Sequence, residues 1–100
     1  MASLDVESLD EVVHGRLRLG IMAYLAHAEA ADFNELKAAL NATQGNLSIH
    51  LRKLEDADYI AIDKSFLNRK SLTRARLTPK GRIAFAAYLE AMAKLVADGG

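Results

Sequence analysis

Apolar residues repeat every four positions in the first strong pattern of the chain, which predicts a long helix beginning at Asp10. The carboxylates of Asp10 and Glu11 suit the positive end of its dipole. The repeating residues are Val13, Leu17, Ile21 and Leu25. Residues 26–31 are mostly alanine and show no distinct apolar face, so we expect a loop there. Phe33 is expected to anchor a very short strand after it.

Two weaker features accompany this helix. Residues 1–8 are expected to be only partly ordered, as chain ends often are. A small apolar edge near this end consists of Leu4, Val6 and Leu9. Arg16 and Arg18 have acidic residues around them, and we expect them to pair with those neighbours rather than with phosphates.

Two further helices joined by a tight turn are predicted next. Leu36 and Leu40 mark the inner face of the first, over residues 33–40. Asn41 can take the left-handed conformation that ends this helix, and Thr43 can cap the exposed amides of the next one. The spacing is that of a helix-turn-helix, although an ordinary pair of packed helices gives the same pattern.

The second of these helices, over residues 43–57, has a narrow core stripe and an unusual outer face. Leucines at i, i+4 and i+7 form the stripe: Leu47, Leu51 and Leu54. The outer face consists of Gly45, Asn46, Ser48, Ile49, Arg52, Lys53 and Asp56. Amides and hydroxyls can address base edges, an apolar side chain can meet a thymine methyl, and basic groups can hold phosphates. This face therefore favours a helix that reads the DNA major groove.

The apolar pattern then changes to alternation, which predicts a β-hairpin over residues 60–77. Ile60, Ile62 and Phe66 fall on one side of the outgoing strand, and residues 73–77 form the returning strand. The intervening segment contains no Asn-Gly or Gly-Gly pair, so we expect a turn longer than two residues.

A last helix is predicted over residues 79–97, because Thr78 suits the N-cap and Pro79 the first helical position. Apolar residues cover nearly all of its circumference, including six alanines between positions 84 and 97. In a domain this small the body can cover only one face, so a second face is expected to meet a partner subunit across a twofold axis. The alternative is a loosely packed, alanine-rich terminal helix.

Composition and charge limit the number of domains and the kinds of partner that the chain can have. One hundred residues, 51% of them apolar, suit a single domain over residues 1–100. The net charge is zero, yet residues 64–82 contain seven basic groups and no acidic one. Such a local patch can bind phosphates, since distant charges are screened, although a solvated basic loop is the plain alternative.

Several classes of function find no support. There is no cysteine, which removes disulfides and thiolate chemistry and fits a reducing cytoplasm. No apolar run approaches the roughly 20 residues of a membrane span, and residues 1–9 lack the basic start of a signal peptide, so a cytoplasmic protein is expected. Convergent carboxylates and glycine-rich phosphate loops are also absent from the sequence, which predicts neither an enzyme nor a cofactor.

A helix-turn-helix, a basic hairpin and a long last helix follow one another in this order, and the chain resembles the small MarR/ArsR-type winged helix-turn-helix regulators, in their short single-domain group. The segments that match are 45–55, 57–60, the hairpin and 77–81, and their order and spacing together make the resemblance specific. It covers residues 10–88.

The resemblance implies a mainly α fold with a small β-hairpin, and long terminal helices for dimerisation. Residues 10–57 would hold the helices with the recognition helix, residues 60–77 the wing near the flanking minor groove, and residues 79–97 the dimerisation helix. The implied DNA-binding residues are Thr43, Gln44, Asn46, Ser48, Ile49, Arg52, Arg69, Lys70 and Arg74. The implied dimer contacts are Phe85, Tyr88, Leu89, Met92, Leu95 and Val96.

One departure from the pattern concerns metals. The helix before the turn has no cysteine, so a thiol-based metal sensor is excluded. His14 and His27 would stand about 20 Å apart on one helix, and His50 at the edge of the leucine stripe is expected to pack or hydrogen-bond there. No metal site is predicted, and the sequence leaves a small-molecule effector undecided.

The sequence thus predicts a dimeric regulator that binds a specific double-stranded DNA, with repression as the expected mode. The neutral net charge allows a second interpretation, a winged helix used for protein contacts as an adaptor subunit, in which the last helix is the functional surface.

Overall fold

Four helices and a three-stranded sheet make up the protein in a computed structural model that describes residues 5–99. A short 3-10 turn, Val6–Ser8, precedes them. The elements are α1 (Arg16–Ala28), β1 (Ala30–Asp32), α2 (Phe33–Ala39), α3 (Gln44–Asp56), β2 (Ile60–Leu67), β3 (Lys70–Leu77) and α4 (Pro79–Gly99). None of the helices in this part of the chain is long and apolar enough to cross a membrane. Leu4 of the expected apolar edge lies outside the described residues.

The first helix begins six residues later than the prediction. The Asp10 carboxylate accepts hydrogen bonds from the amides of Val12 (2.8 Å) and Val13 (3.2 Å), and so caps a separate turn. Gly15 then extends the chain as the N-cap of α1. Val13 still reaches the core from this turn and is fully buried, which explains why the four-residue repeat ran through the break.

The expected pairing of Arg18 with acidic side chains is wrong. Its guanidinium donates from Nε to the carbonyl of Val12 at 2.6 Å and from Nη2 to that of Glu11 at 3.4 Å. Backbone carbonyls of the N-terminal turn thus take the place of carboxylates. His14 connects the segment before α1 to α4, because its Nδ1 lies 2.7 Å from the Tyr88 hydroxyl.

The segment between α1 and α2 is more regular than expected. Residues 30–32 pair with β3 as a strand, so the predicted loop over residues 26–31 is replaced by the end of α1 and β1. The Asp32 carboxylate accepts from the Glu35 amide at 2.8 Å and caps α2. Phe33 is consequently the first residue of α2 and not part of the strand.

The turn between α2 and α3 follows the prediction. Asn41 has a φ of 50°, in the left-handed region, and closes α2. The Thr43 hydroxyl accepts from the Asn46 amide at 3.2 Å and caps α3. The leucine stripe of α3 faces inward, with Leu47, Leu51 and Leu54 in the core.

The sheet has the strand order β1-β3-β2 and is antiparallel throughout. The hairpin turn contains only Asn68 and Arg69, so the expected longer turn is wrong. Both residues have positive φ, 53° and 67°, which is the two-residue geometry that matches strand twist. Asparagine adopts it readily, and here arginine fills the second position that glycine usually takes.

Helix α4 starts as predicted and is held close to the end of α3. The Thr78 hydroxyl accepts from the Gly81 amide at 2.9 Å, and the Thr78 amide donates to the Tyr59 carbonyl at 3.0 Å. A Cβ on Gly81 would lie 1.9 Å from that same carbonyl oxygen. Only glycine therefore permits this approach of α4 to the chain at Tyr59.

One core joins all these elements. It contains residues from α1, α2, α3, the sheet and the first half of α4, and its largest fully buried side chains are Ile21, Met22, Leu25, Leu36, Leu47, Leu54, Ile60 and Val13. This packing fixes α3 on one side of the hairpin and leaves the opposite face of α3 open to solvent.

Candidate nucleic-acid interface

The outer face of α3 is accessible along its whole length. The predicted contacts on it are all exposed: Thr43, Gln44, Asn46, Ser48, Ile49 and Arg52. The Ile49 side chain is 55% exposed, although burial would stabilise it. A Cβ built on Gly45 meets no atom within 4 Å, so a partner surface can approach the helix backbone there.

A groove runs between α3 and the hairpin. Ser48 and Arg52 line it from the helix, and Lys64 and Thr73 line it from the two strands. Gln44 continues it toward the start of α3, where Ser71 and Asn34 also contribute. Hydroxyl, amide and basic groups therefore share one concave surface, with Glu55 and Asp32 as its acidic members.

Lys64 was missing from the predicted set. Ile60 and Ile62 of β2 turn toward the core, and the strand's two-residue period places Lys64 and Phe66 on the same side. Their cross-strand partners are Thr73 and Ser71. The signal was present in the alternation of β2, but the sequence did not show that this side also faces α3.

Arg74 lies on the opposite side of the sheet from Lys64, in register with Asp63 on β2 and with Asp32 on β1. Lys70 has the same strand parity as Arg74 and lies on that side as well. Arg76 shares this side and forms an ion pair with Asp63, from Nε to Oδ2 at 3.3 Å. Arg74 is exposed, but the structure does not bring it into the groove with Arg52 and Lys64.

Arg69 and Lys70 lie at the turn of the hairpin, where both are exposed. The charges of Arg69 and Lys64 extend from the tip of the hairpin toward α3, whereas Lys70 lies on the side of the sheet that holds Arg74. Every charged residue from Lys64 to Arg82 is basic, and Asp63, which precedes them, is paired with Arg76. This is a suitable surface for a polyanion.

The histidines make hydrogen bonds within the fold. Nδ1 of His27 donates to the Ala23 carbonyl at 2.9 Å, and Nδ1 of His50 lies 3.0 Å from Nη1 of Arg18. Burial, followed by the charges of Arg18 and Lys53, lowers the pKa of His50 below its ordinary value of 6.5. Within residues 5–99, no three histidine or carboxylate groups cluster as a metal site would require.

The expected dimer contacts separate into three groups. Phe85 and Tyr88 are 9% and 3% exposed and belong to the core of the protomer, so they are not available to a partner. Met92 is half-buried against that core, and Leu95 is half-exposed. Leu89 and Val96 are 49% and 66% exposed and lie on another side of α4.

A helix-turn-helix whose second helix lies beside a basic hairpin, followed by a long helix, defines the winged helix class, with β2 and β3 as the wing. The chain belongs to the winged helix DNA-binding domain family, whose model matches residues 17–96. This confirms the resemblance on which the recognition helix and the wing were predicted. It also supports a DNA-binding transcriptional regulator over an enzyme.

Three relatives illustrate the family. An uncharacterised protein of Methanocaldococcus jannaschii is 38% identical over 79 residues, which are 79% of this chain and 86% of that protein. The transcriptional regulator homologue of Pyrococcus horikoshii is 30% identical, with a TM-score of 0.81 over 90% of this chain and 88% of its own. A putative MarR-family regulator of Enterococcus faecalis is 27% identical, with a TM-score of 0.67 over 88% and 76%.

Proposed function

We propose that this protein is a dimeric, sequence-specific transcriptional regulator that acts as a repressor in the cytoplasm. The observation that carries the proposal is the groove between α3 and the wing, where Ser48, Arg52 and Lys64 form one polar and basic surface. Toward the tip of the hairpin, Arg69 in the turn and Lys70 at the start of β3 add further basic groups. A surface that joins short hydrogen-bonding groups to cations is suited to base edges and phosphates together.

The proposal divides the contacts into two roles. Gln44, Asn46, Ser48 and Ile49 address bases in the major groove, because they are exposed on the face around the open Gly45. Backbone contacts come from Thr43, Arg52, Arg69, Lys70 and Arg74, to which we add Lys64. Arg74 would reach phosphates only from the far side of the wing, so we expect a smaller contribution from it.

Dimerisation is proposed through an exposed stripe of α4, which we call the α4 stripe. Its members are Ala86, Leu89, Ala93 and Val96. They are spaced by three, four and three residues, which is the repeat by which two helices pack side by side. The alanines allow the helix backbones to approach closely, while Leu89 and Val96 would bury apolar surface that water now covers.

A twofold dimer presents two copies of α3 to two half-sites of a palindromic sequence. Binding over such a site would exclude other proteins from a promoter without needing a further contact surface. This is the reason for proposing repression.

A second function, a protein-binding adaptor, would use the same α4 stripe for a different partner. The net charge of the whole chain is zero, so its nonspecific affinity for DNA would be low. This favours the adaptor. It gives no role to the polar outer face of α3.

The test is selection of duplexes from a randomised pool, followed by fluorescence-anisotropy titration of the enriched duplex and a scrambled version at two salt concentrations. The proposal predicts a two-half-site sequence bound at least about a thousandfold more tightly than its scramble. Equal, strongly salt-dependent binding to both would show a nonspecific DNA protein. No binding to either would favour the adaptor.

A further inference from the structure

We infer that Phe66 is a wedge that enters the minor groove beside the recognition site and makes binding depend on how easily the flanking base steps unstack. The inference rests on the proposed DNA-binding function and adds to it a residue that selects sequence without hydrogen bonds to bases.

The first observation is the exposure of Phe66. At 80% it is the most exposed large apolar side chain among residues 5–99 for which burial is described. The residue directly across the hairpin is Ser71, whose side chain is too small to cover a phenyl ring. An uncovered aromatic ring on a short hairpin is unfavourable in water, so a partner that covers it gains free energy.

The second observation is the charge around the ring. Lys64 lies two residues earlier on the same side of β2, about 7 Å along the strand. Arg69 follows at the turn and is exposed, whereas Lys70 begins β3 on the opposite side of the sheet. The surface that covers Phe66 must therefore carry negative charge around a place that accepts an apolar ring, as the phosphates of a minor groove do around partly unstacked base pairs.

The third observation is the direction of the ring. Phe66 lies on the side of the sheet that faces the groove with Ser48 and Arg52, whereas Arg74 and Arg76 lie on the other side. A duplex held by α3 would thus meet the Phe66 side of the wing next. Apolar side chains that meet DNA in this way insert partly between base pairs and kink the duplex.

Such a wedge discriminates by deformability. Pyrimidine–purine steps such as TA and CA unstack at lower cost than purine–purine steps, so a site with a flexible step under Phe66 should bind more tightly. Replacing a TA step by AA there is expected to weaken wild-type binding by about tenfold, the usual effect of one unfavourable position.

The experiment compares wild type, Phe66→Ala and the control Ser65→Ala on the selected duplex, with flanks that carry a TA or an AA step at each position in turn. Ser65 is exposed and neighbours Phe66 on the opposite side of the strand. Phe66→Ala should lose the TA preference and keep the preference for the central sequence over its scramble. Ser65→Ala should keep both, and 2-aminopurine placed at the step should brighten only with proteins that retain the ring.

The outcomes separate the two proposals. If wild type binds the selected duplex and Phe66→Ala keeps the same flank preference, the wedge is wrong and the DNA-binding function stands. If wild type binds no duplex, both fail. If Phe66→Ala instead changes the mass of the protein in solution, the ring belongs to a contact between copies of the chain, which also overturns the wedge. The side chain is exposed, so the variant should fold, and circular dichroism checks this.

Discussion

Arg18 on α1 donates from Nη1 to Nδ1 of His50 on α3 at 3.0 Å. Because a guanidinium only donates, Nδ1 of His50 must carry the lone pair and its proton must sit on Nε2. The same guanidinium binds the carbonyls of Val12 and Glu11, so the N-terminal turn, α1 and the recognition helix meet at one side chain. The neutral form of His50 is therefore part of the folded structure.

A pH dependence of stability follows from this contact. The pKa of His50 is lowered in the folded protein, so between that pKa and about 6.5 the unfolded chain binds more protons. The free energy of unfolding should decrease as the pH falls through 6.5 and level off below the folded pKa. Urea unfolding measured at a series of pH values checks this. His50→Gln, which can still accept from Arg18 without titrating, should flatten the dependence, and an unchanged slope would exclude His50 as its source.

A second pH dependence of stability, at alkaline pH, is expected from Tyr59. Its hydroxyl donates to the Asp10 carboxylate, and this bond, followed by burial and the Asp10 charge, raises the pKa of Tyr59 to about 12. The bond stabilises the protein below the unfolded pKa of about 10, and the stabilisation is lost as the pH rises from there to about 12.

The corresponding variant is Tyr59→Phe. It should lower the free energy of unfolding by about 1 kcal/mol at neutral pH, since it removes one hydrogen bond. The ring that faces Lys80, with Nζ 5.8 Å from its centroid, is retained. The tyrosinate absorbance titration should lose its most alkaline component in the variant. A titration that does not change would contradict the assignment.

Two glycines should respond oppositely to substitution by alanine. Gly81→Ala places a Cβ at 1.9 Å from the Tyr59 carbonyl oxygen and should destabilise the protein by about 2 kcal/mol or more. Gly45→Ala lies in a helix with open space around it and should stabilise by a few tenths to about 1 kcal/mol. Thermal unfolding of both variants is the measurement, and a Gly81→Ala variant as stable as the wild type would mean that the contact at Tyr59 does not limit the packing of α4.

Charged substitutions in the α4 stripe are expected to disrupt the proposed dimer. Leu89→Lys or Val96→Lys should convert the dimer to a monomer at micromolar concentration, because each puts an ammonium group into the apolar contact. Ile83→Lys is the control, since Ile83 is 71% exposed on another side of α4. Sedimentation equilibrium distinguishes them. Dissociation by Ile83→Lys alone would place the interface elsewhere.

Local signals were sufficient for much of this fold. The caps at Thr43 and Thr78 and the left-handed Asn41 depend on bonds within a few residues, and each could be predicted from side-chain chemistry alone. The inward face of α3 followed from the spacing of three leucines. Such features need no knowledge of the remainder of the chain.

Errors arose where helical spacing hides a local break or where distant residues decide the structure. The break before α1 depends on the Asp10 cap and on Arg18 reaching back to the preceding turn, which helical spacing does not reveal. Phe85 and Tyr88 are apolar like their neighbours on α4, and only the packing of the body against one side of that helix separates core from free surface. Lys64 was missed because the alternation of β2 shows which residues share a side of the sheet, but not that this side faces α3.

The central claim is that α3 reads bases while the wing holds the backbone, and one set of titrations tests it. Wild type, Asn46→Ala and Arg69→Ala are titrated against the selected duplex and its scramble at two salt concentrations. Asn46→Ala should reduce the ratio of the two affinities at an unchanged salt dependence. Arg69→Ala should weaken binding to both duplexes equally and lower the salt slope by about one. Uniform losses from both variants, on both duplexes, would contradict the division of roles.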